Sequence, residues 1–505
     1  MARQGFIAFD LGAESGRAML AVLEKDRLEL HEAHRFPNRM LLLPDGWHWD
    51  LTGLWANLME GLKNAARMAA TLPGPGPVEL ISLGVDTWGV DFGLVGASGQ
   101  LLGLPFVYRD PRNVPAMKAT RRKLGDKRIY GATGIQFMSF NTIYQLAAQR
   151  ATEPGPLKLA EHILFTPDLL HYFFSGKAVN EATIASTAQL VDPFSGKWAT
   201  GLIKALGVPT RMFGRIVPAG TRIGRLRQEL AAEAGLQRLE VIAPGGHDTA
   251  SAVAAVPVQP EVRAGGRWAY ISSGTWSLMG AELDAPIVTE AARRAGFTNE
   301  RGVEGKIRFL KNIMGLWLVQ ETRRDFARQG KELDYPTLME MAGKSEPFRT
   351  LIDPDRQDFM APGGMCARIA DFARHTGQPV PQTPGQFVRC CLDSLALAYR
   401  RTVDNLEKLL GHPIEVLHIV GGGGKNALLN QMTADALDRT VIVGPFEATA
   451  IGNALTQAIG ARAVRNLDHL RAIVRASFDP LTVRPKDPAP FAARREQFES
   501  LVVRR

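Results

Sequence analysis

Apolar residues occur in short runs along the first hundred positions, and each run ends in small, polar or acidic residues. Residues 5–23 are apolar on both sides of a glycine-containing turn, which predicts two strands joined by a hairpin. From Leu51 the apolar residues recur at helical spacing, and Asp50 stands where a helix N-cap is expected. Further strands are predicted at 79–85 and 90–95.

The second half of the chain repeats this theme. A strand, a small hydroxylated turn and a second strand are predicted at 268–280, and helices at 311–326 and 386–410. A strand at 416–420 runs into four glycines, and a helix opens at Asn426. This mixture of hairpins and strand–helix units predicts an α/β fold, and the echo between the halves indicates two related domains.

Length and composition agree with this organisation. The chain has 505 residues, 45% apolar and 22% charged, which is typical of a globular protein with two or three domains. Its three cysteines are too few for a disulfide framework, so a reducing cytoplasm is the expected compartment. No apolar stretch approaches the ~20 residues of a membrane helix, and Asp10 interrupts the N-terminal apolar run, so neither a membrane anchor nor a secretory signal is expected.

The charge balance is mildly basic. Lysine and arginine outnumber aspartate and glutamate by 60 to 51, and the excess is spread along the chain apart from small clusters at 494–495 and 504–505. A nucleic-acid binder should concentrate such charge beside aromatic residues, so no nucleic-acid partner is expected. A mild positive field suits an anionic small molecule such as ATP, although a solvated surface explains it equally well.

The first candidate motif is the turn DLGAESGR at residues 10–17. Its small residues leave backbone N–H groups accessible to a phosphate, and Arg17 can pair with phosphate oxygens. Asp10, at the end of the preceding strand, could hold Mg²⁺ through water molecules. An ordinary hairpin turn would have the same composition, so this motif alone does not decide between the two interpretations.

Two further turns are rich in small residues. SSGTWS, at 272–277, could line the other side of a triphosphate, and is a weak signal by itself. VGGGGKN, at 420–426, ends a strand in bare backbone before a helix, which suits a phosphate or a nucleotide face. It is not a GxxxxGK[ST] loop, because Asn426 follows Lys425, and it is not GxGxxG. Four consecutive glycines are costly in chain entropy, so they indicate function.

The turns GGHDTAS and GVDTWGVDF carry the candidate acids. Asp248 follows a strand and precedes a helix, where it could meet a hydroxyl group or serve as a helix N-cap. Asp86 and Asp91 could contact a sugar, and Trp88 could stack on one. The alternative for the second turn is a tight bend around a core tryptophan.

Several long strings in order are more specific than any single glycine loop. The chain resembles the FGGY carbohydrate kinase family of the actin-like ATPase superfamily from about residue 7 to 455, through DLGAESGR, HRFPN with WHWD, GVDTWGVDFGL, YRDPR, GIQFMSFNTIYQL, HDTASAV, YISSGTWSLMG, LKNIMGLWLVQE and LHIVGGGGKNALLNQ. The resemblance implies two ribonuclease-H-like α/β domains with the catalytic site in the cleft between them. The Pro- and Gly-containing stretch 257–266 is the expected domain boundary, so a domain with the sugar site and phosphate turn is expected at 1–256 and a nucleotide-binding domain at 257–479. The Pro- and Arg-rich segment 480–505 is expected to be a peripheral tail.

The resemblance also implies the roles of individual residues. The implied ATP site consists of Ala13, Glu14, Ser15, Gly16, Arg17, Thr275, Asn312, Gln320 and Gly422. The implied sugar contacts are Gly89, His247, Asp248 and Thr249, with Asp248 as the proton acceptor. Glu14 departs from the small or hydroxylated residue that the wider family often has, so an acid here must turn away from phosphate or bind metal.

The reaction that the resemblance implies moves the γ-phosphate of ATP, with Mg²⁺, to the 1-hydroxyl of a small ketose, L-rhamnulose. A kinase of another ketose or of a polyol is the first alternative, and an actin- or chaperone-like ATPase is the second. The ATPase would leave the GGHDTAS turn without an acceptor to serve. A monomer is the expected state, with a small-molecule sugar and ATP as its partners.

Overall fold

The computed structural model describes residues 3–502, so the basic pair 504–505 lies outside the described residues. Contacts divide the chain into two compact units. The first unit consists of 1–257, 282–309 and 447–479, and the second of 258–281, 310–446 and 480–505. The functional division of the chain into sugar-binding, nucleotide-binding and tail segments stays a prediction.

Strands and helices are both distributed along the whole described chain. The strands are β1 (Arg3–Leu11), β2 (Ser15–Glu24), β3 (Arg27–Pro37), β4 (Met40–Leu43), β5 (Gly46–Trp49), β6 (Val78–Thr87), β7 (Phe92–Gly96), β8 (Ala160–Phe165), β9 (Asn180–Glu181), β10 (Ile216–Val217), β11 (Arg222–Arg225), β12 (Glu240–Ile242), β13 (Trp268–Ser273), β14 (Trp276–Leu283), β15 (Thr298–Arg301), β16 (Ile307–Met314), β17 (Val416–Val420), β18 (Thr440–Val443) and β19 (Leu481–Val483).

The helices range from one turn to more than seven turns. They are α1 (Leu51–Thr71), α2 (Asn113–Leu124), α3 (Asp126–Thr133), α4 (Thr142–Thr152), α5 (Pro154–Leu159), α6 (Thr166–Ser175), α7 (Ala182–Ala185), α8 (Thr200–Leu206), α9 (Gln228–Glu233), α10 (Asp248–Ala254), α11 (Pro260–Ala264), α12 (Glu290–Ala295), α13 (Trp317–Arg328), α14 (Tyr335–Gly343), α15 (Met365–His375), α16 (Pro384–Leu410), α17 (Ala427–Leu437), α18 (Ala448–Gly460), α19 (Leu467–Ser477) and α20 (Ala489–Leu501).

The first unit is built on a six-stranded sheet in the order β11-β12-β6-β1-β2-β3. β1 runs parallel to β6 and antiparallel to β2, and β12 runs parallel to β6. Helices α1 and α18 both pack on β1, which is why that strand is an almost continuous apolar run. Parallel pairing brings the carboxyl ends of β1, β6 and β12 to one edge of the sheet, where the candidate motifs begin.

In the second unit, strands of one sheet pair in the order β14-β13-β17-β18-β19. β17 lies parallel to both β13 and β18, so the small hydroxylated turn after β13 and the glycine run after β17 also meet at one edge. The segment after 479 adds the antiparallel edge strand β19 and helix α20, whose Phe491 and Phe498 are buried.

Most of the predicted elements are confirmed, including the α/β class, both hairpins and the long helix α16. Asp50 caps α1, because its Oδ1 accepts the backbone N–H of Gly53 at 2.9 Å. The helix predicted at 311–326 was wrong in its first turn: Ile307–Met314 is strand β16, and the helix begins at Trp317. A strand buried on both faces shows no alternation, so its pattern could not be told from a helix. None of the helices between residues 3 and 502 has the length and apolarity needed to cross a membrane.

Candidate active site

The turn between β1 and β2 is closed by backbone hydrogen bonds and by Asn38. The N–H of Gly12 is bonded to the carbonyl of Ser15 at 2.9 Å, and Asn38 holds the turn through the carbonyls of Glu14 and Gly12 at 3.0 and 3.1 Å. A Cβ on Gly16 would overlap the ring of Phe36, so packing requires glycine there. The side chain of Glu14 is exposed.

Arg17 lies between two carboxylates. It is the antiparallel partner of Asp10, and its guanidinium donates to Asp10 Oδ2 at 2.5 Å and to Glu447, the residue before α18. Burial acts to lower the pKa of Arg17, but the two carboxylates outweigh it and raise the pKa, so the side chain stays charged. Glu447 is 430 positions away in the chain, and no sequence motif pointed to it.

Asp10 and Asp86 are paired residues at the ends of the parallel strands β1 and β6. Burial raises the pKa of both carboxyls, and the nearby negative charge of Asp248 raises each further. Asp86 Oδ2 accepts the amide N–H of Asn453 at 2.6 Å, whereas Oδ1 is buried with no hydrogen-bond partner among residues 3–502. Within that same range, no group of three or more His, Cys, Asp or Glu side chains is arranged to hold a metal ion.

Asp248 is the first residue of α10, and the N-cap position belongs to His247. The N-cap alternative for Asp248 is therefore wrong. Its Oδ1 accepts from the N–H and the hydroxyl of Thr249 at 2.5 and 3.1 Å, and 31% of its side chain is exposed. That exposure sets it apart from Asp10 and Asp86, both buried, and leaves its carboxylate accessible to an incoming hydroxyl group.

The end of β6 joins this acid turn. The N–H of Thr87 is bonded to the carbonyl of Gly246 at 2.9 Å, and Thr87 is bridged to His247. A Cβ on Gly89 would lie 3.3 Å from His247 Nε2, so Gly89 leaves the imidazole unobstructed. The first unit thus brings together the phosphate turn, Asp10, Arg17 and the four residues implied as sugar contacts.

The turn GVDTWGVDF encloses a core tryptophan, which was the alternative interpretation of this turn. Trp88 packs on Trp49 with ring centroids 4.2 Å apart. Asp91 Oδ2 accepts both indole N–H groups, at 2.6 Å from Trp49 and 2.9 Å from Trp88, and also the N–H of Tyr108. Gln145 donates to Oδ1 at 2.9 Å. Asp91 is fully buried, so it organises the wall behind Gly89 and does not reach a ligand.

The contribution of Asp91 and its buried partners to the free energy of unfolding should depend on pH. Burial raises the pKa of Asp91 from 3.8 to about 7, with its four N–H donors acting in the opposite direction. Between these values the folded state binds more protons at Asp91 than the unfolded state, so its contribution to stability is complete below pH ~4 and is lost as pH rises through ~7. Thermal unfolding across pH 4–8 should show a steeper fall in stability for the wild type than for Asp91→Asn, since Asp10 and Asp86, whose pKa values burial also raises, are present in both. Parallel curves would contradict this assignment.

In the second unit, the two small turns contact each other. A Cβ on Gly423 would overlap the side chain of Ser273, and Gly421 has a φ of 88°, where glycine is favoured. Packing therefore explains part of the glycine run. Gly422 differs, because a Cβ there would meet no atom within 4 Å in the described part of the chain, so its bare backbone is available to a ligand. Asn426 caps α17 through the N–H of Leu429.

The remaining implied nucleotide residues lie near the break between β16 and α13. Trp317 donates its N–H to the carbonyl of Thr275 at 3.1 Å, which ties the start of α13 to the β13–β14 turn. Asn312 lies on β16 and is half-buried. Gln320, on α13, has a buried Oε1 that finds no hydrogen-bond partner across residues 3–502. A buried amide oxygen of this kind is suited to accept a hydrogen bond from a ligand.

The chain belongs to the FGGY family of carbohydrate kinases. Residues 6–255 match the family's N-terminal domain, and residues 269–461 match its C-terminal domain. The chain is thus an enzyme of the sugar kinase class, with the two-domain α/β fold predicted from its sequence.

Its relatives carry a more specific name. The chain is 43% identical to the rhamnulokinase of Bacteroides thetaiotaomicron, covering 99% of this chain and 100% of the relative. It is 41% identical to the rhamnulokinase of Pectobacterium atrosepticum, covering 99% and 97%. Among solved structures it is similar to the xylulose kinase of Lactobacillus acidophilus, with a TM-score of 0.79, 12% identity and coverage of 99% and 97%. It is also similar to Plasmodium falciparum glycerol kinase with ADP, with a TM-score of 0.75, 16% identity and coverage of 99% and 97%.

Proposed function

We propose that this chain transfers the γ-phosphate of ATP to the 1-hydroxyl of L-rhamnulose, giving L-rhamnulose 1-phosphate and ADP. The observation that carries the proposal is the partly exposed carboxylate of Asp248, close enough to the phosphate turn for its charge to act on Asp10. The full-length similarity to proteins named rhamnulokinase supports the choice of sugar.

Asp248 is the proposed proton acceptor. Its carboxylate orients the hydroxyl of the sugar and takes its proton as the new bond to phosphorus forms. The neighbouring residues His247, Thr249 and Gly89 are the proposed sugar contacts. His247 and Thr249 each place a polar side chain beside Asp248, and Gly89, which has no side chain, leaves room next to the imidazole.

The turn Ala13–Arg17 is the proposed site for the transferred phosphate. Its backbone N–H groups would bind phosphate oxygens, and Arg17 would exchange one of its carboxylate partners for them. Asp10 would hold Mg²⁺ through water. Oxygen ligands and few direct contacts suit this ion. The Oδ1 of Asp86, beside Asp10, has no hydrogen-bond partner within 3–502, which supports the fit. When bound, Mg²⁺ neutralises charge that develops on the phosphate oxygens.

Thr275, Asn312, Gln320 and Gly422 are the proposed nucleotide contacts of the second unit. Among the described residues, none fills the space beside Gly422 and none is hydrogen-bonded to the amide oxygen of Gln320, and both observations support this assignment. We accordingly propose that 1–256 binds the sugar and transferred phosphate, that 257–479 binds the nucleotide, and that 480–505 is peripheral. The three free thiols, Cys366, Cys390 and Cys391, support a reducing cytoplasm. A monomer, acting without a nucleic-acid or membrane partner, is part of the same proposal.

A coupled ADP assay over ketoses, aldoses and polyols tests the proposal. We expect kcat/KM to be highest for L-rhamnulose, lower for ketoses that share its stereochemistry near the 1-hydroxyl, and low for aldoses and glycerol. L-Rhamnulose ends in a methyl group, and apolar pockets reject an added hydroxyl only by ~10²-fold, so the preference at that end should be clear but incomplete. Trp88 and Phe92, both buried at 6% exposure, are the proposed apolar wall for this methyl group.

The same assay separates the alternatives. A higher kcat/KM for D-xylulose or glycerol would retain the kinase and reject L-rhamnulose as the substrate. ADP release that is independent of any sugar would favour the actin-like ATPase, which gives Asp248 no acceptor to serve.

A further inference from the structure

Behind His247 lies a buried ion pair that the proposed reaction does not use. Arg308 on β16 and Glu300 on β15 have 0% and 5% of their side chains exposed, and Arg308 NH2 is 3.0 Å from Glu300 Oε2. The imidazole of His247, 8% exposed, contacts both partners. All three residues belong to the first unit.

The hydrogen bond between Arg308 and His247 has only one possible direction. NH2 of Arg308 is 3.0 Å from Nδ1 of His247. A guanidinium donates and never accepts, so Nδ1 must be the acceptor. In the neutral imidazole the proton is then on Nε2. That nitrogen lies 3.4 Å from Asp248 Oδ1 and faces the space that Gly89 leaves open.

Glu300 offers the competing arrangement, in which Nδ1–H donates to its carboxylate. Its Oε2 is 3.3 Å from Nδ1, which is longer than the bond from Arg308. Burial acts to raise the pKa of Glu300, whereas the positive charge of Arg308 lowers it, and the pKa of this carboxyl lies below its usual value, so the carboxylate balances the buried guanidinium. The Nε of Arg308 is fixed separately, because it donates to the carbonyl of Arg301 at 2.9 Å.

We propose that Arg308 is a positioning residue that holds His247 as an Nε2–H donor, while Glu300 balances its charge. His247 can then donate to a sugar oxygen beside the reacting hydroxyl but cannot accept a proton from it, which leaves Asp248 as the acceptor. A stereoisomer that presents no oxygen there leaves a buried N–H unpaired and is rejected. The sugar part of this inference rests on the proposed function, whereas the tautomer does not.

The tautomer can be measured without any substrate. Two-bond ¹H–¹⁵N correlation spectra of protein labelled at histidine, recorded at alkaline pH, distinguish a bare ring nitrogen from a protonated one. The signals of His247 among the ten histidines are assigned by comparison with His247→Asn. We expect Nδ1 to be bare in the wild type. A protonated Nδ1 would mean that Glu300 is the partner and would overturn the proposal.

Two variants separate positioning from packing. Arg308→Lys keeps a cation and an N–H donor beside Glu300, and should keep most of the activity and the same tautomer. The double variant Arg308→Met with Glu300→Gln removes the donor and both charges, so it leaves no unpaired buried charge. It should populate both tautomers and lower kcat/KM for L-rhamnulose by about 10-fold to 100-fold. Loss of a group that orients a metal-binding histidine has an effect of this size. The KM for ATP should stay unchanged.

The chain provides a matched control in Arg471 and Glu282. This pair is also buried within the first unit, at 1% and 6% exposure, with contacts of 2.9 and 2.8 Å. Arg471 also donates to the carbonyl of Val253, near the far end of α10. Arg471→Met with Glu282→Gln should change stability while leaving the tautomer and the sugar kinetics as in wild type.

The outcomes are distinct. The positioning role would be overturned if the Arg308→Met, Glu300→Gln variant kept the wild-type tautomer and kcat/KM. It would also be overturned if this variant and the Arg471→Met, Glu282→Gln control lost kcat/KM equally. If no ketose is phosphorylated, the proposed function fails, and the wild-type spectrum still decides the tautomer.

Discussion

Replacing Asp248 with asparagine is expected to lower kcat by ~10²–10⁴-fold, the usual contribution of a general base. The amide occupies nearly the same volume and can still accept from Thr249, so the KM values for ATP and sugar should change little. The turnover number measured with saturating ATP and L-rhamnulose, beside a thermal unfolding curve, gives the result.

Asp126 provides the control. It is also the first residue of a helix, α3, with 29% of its side chain exposed, and it pairs with Arg121. Asp126→Asn should alter stability slightly and leave kcat at the wild-type value. Should Asp248→Asn remain within a few-fold of wild type while folding normally, the carboxylate would be no more than a helix-start residue, and the proposed mechanism would be wrong.

Arg17→Ala is expected to act mainly through the nucleotide. A charge-assisted hydrogen bond contributes ~1.5–3 kcal/mol. At ~1.4 kcal/mol per tenfold change, kcat/KM for ATP should fall by about 10-fold to 100-fold for each bond lost. Titrating the variant with ATP and with sugar in turn would separate the two responses. An unchanged ATP response with a lost sugar response would place Arg17 with the sugar instead.

The structure adds a second consequence of removing Arg17. Asp10 and Glu447 would then face each other without the cation between them, so stability should fall as well. Glu447→Gln together with Arg17→Ala relieves that repulsion and should recover part of the stability. It should not recover kcat/KM for ATP, because the guanidinium is still absent.

The sequence predicted those parts of the site whose geometry is local. A glycine-containing turn between apolar runs indicates a hairpin, and a helix follows GGHD because the chain resumes a helical pattern there. The pairing of Asp10 with Asp86 could not be predicted in the same way, because it depends on β1 lying beside β6. Sheet order is set by tertiary packing, and periodicity does not report it.

The residues missed were those whose role comes from distant partners. Glu447 and Arg308 are ordinary charged residues in their local sequence, and they become informative only beside Arg17 and His247. The charge pattern of a single sequence does not indicate which carboxylate will meet which guanidinium. Trp88 was ambiguous for a related reason, since its ring could equally stack on a sugar or pack in the core, and only its contacts with Trp49 and Asp91 decide for the core.

The first unit is assembled from three separate stretches of the chain, and this constrains how the protein is synthesised and how it can be truncated. Helix α18 is translated long after β1, yet Gln457 donates to the carbonyl of Ile7 and accepts from Ser82, and Asn453 donates to Asp86. At ~5–20 residues per second, the ribosome leaves these groups without their partners for many seconds after the β1–β2 hairpin emerges. An expression product that stops at 257 would lack the same partners permanently, so dissecting the enzyme calls for cuts that keep 447–479 joined to the N-terminal sheet.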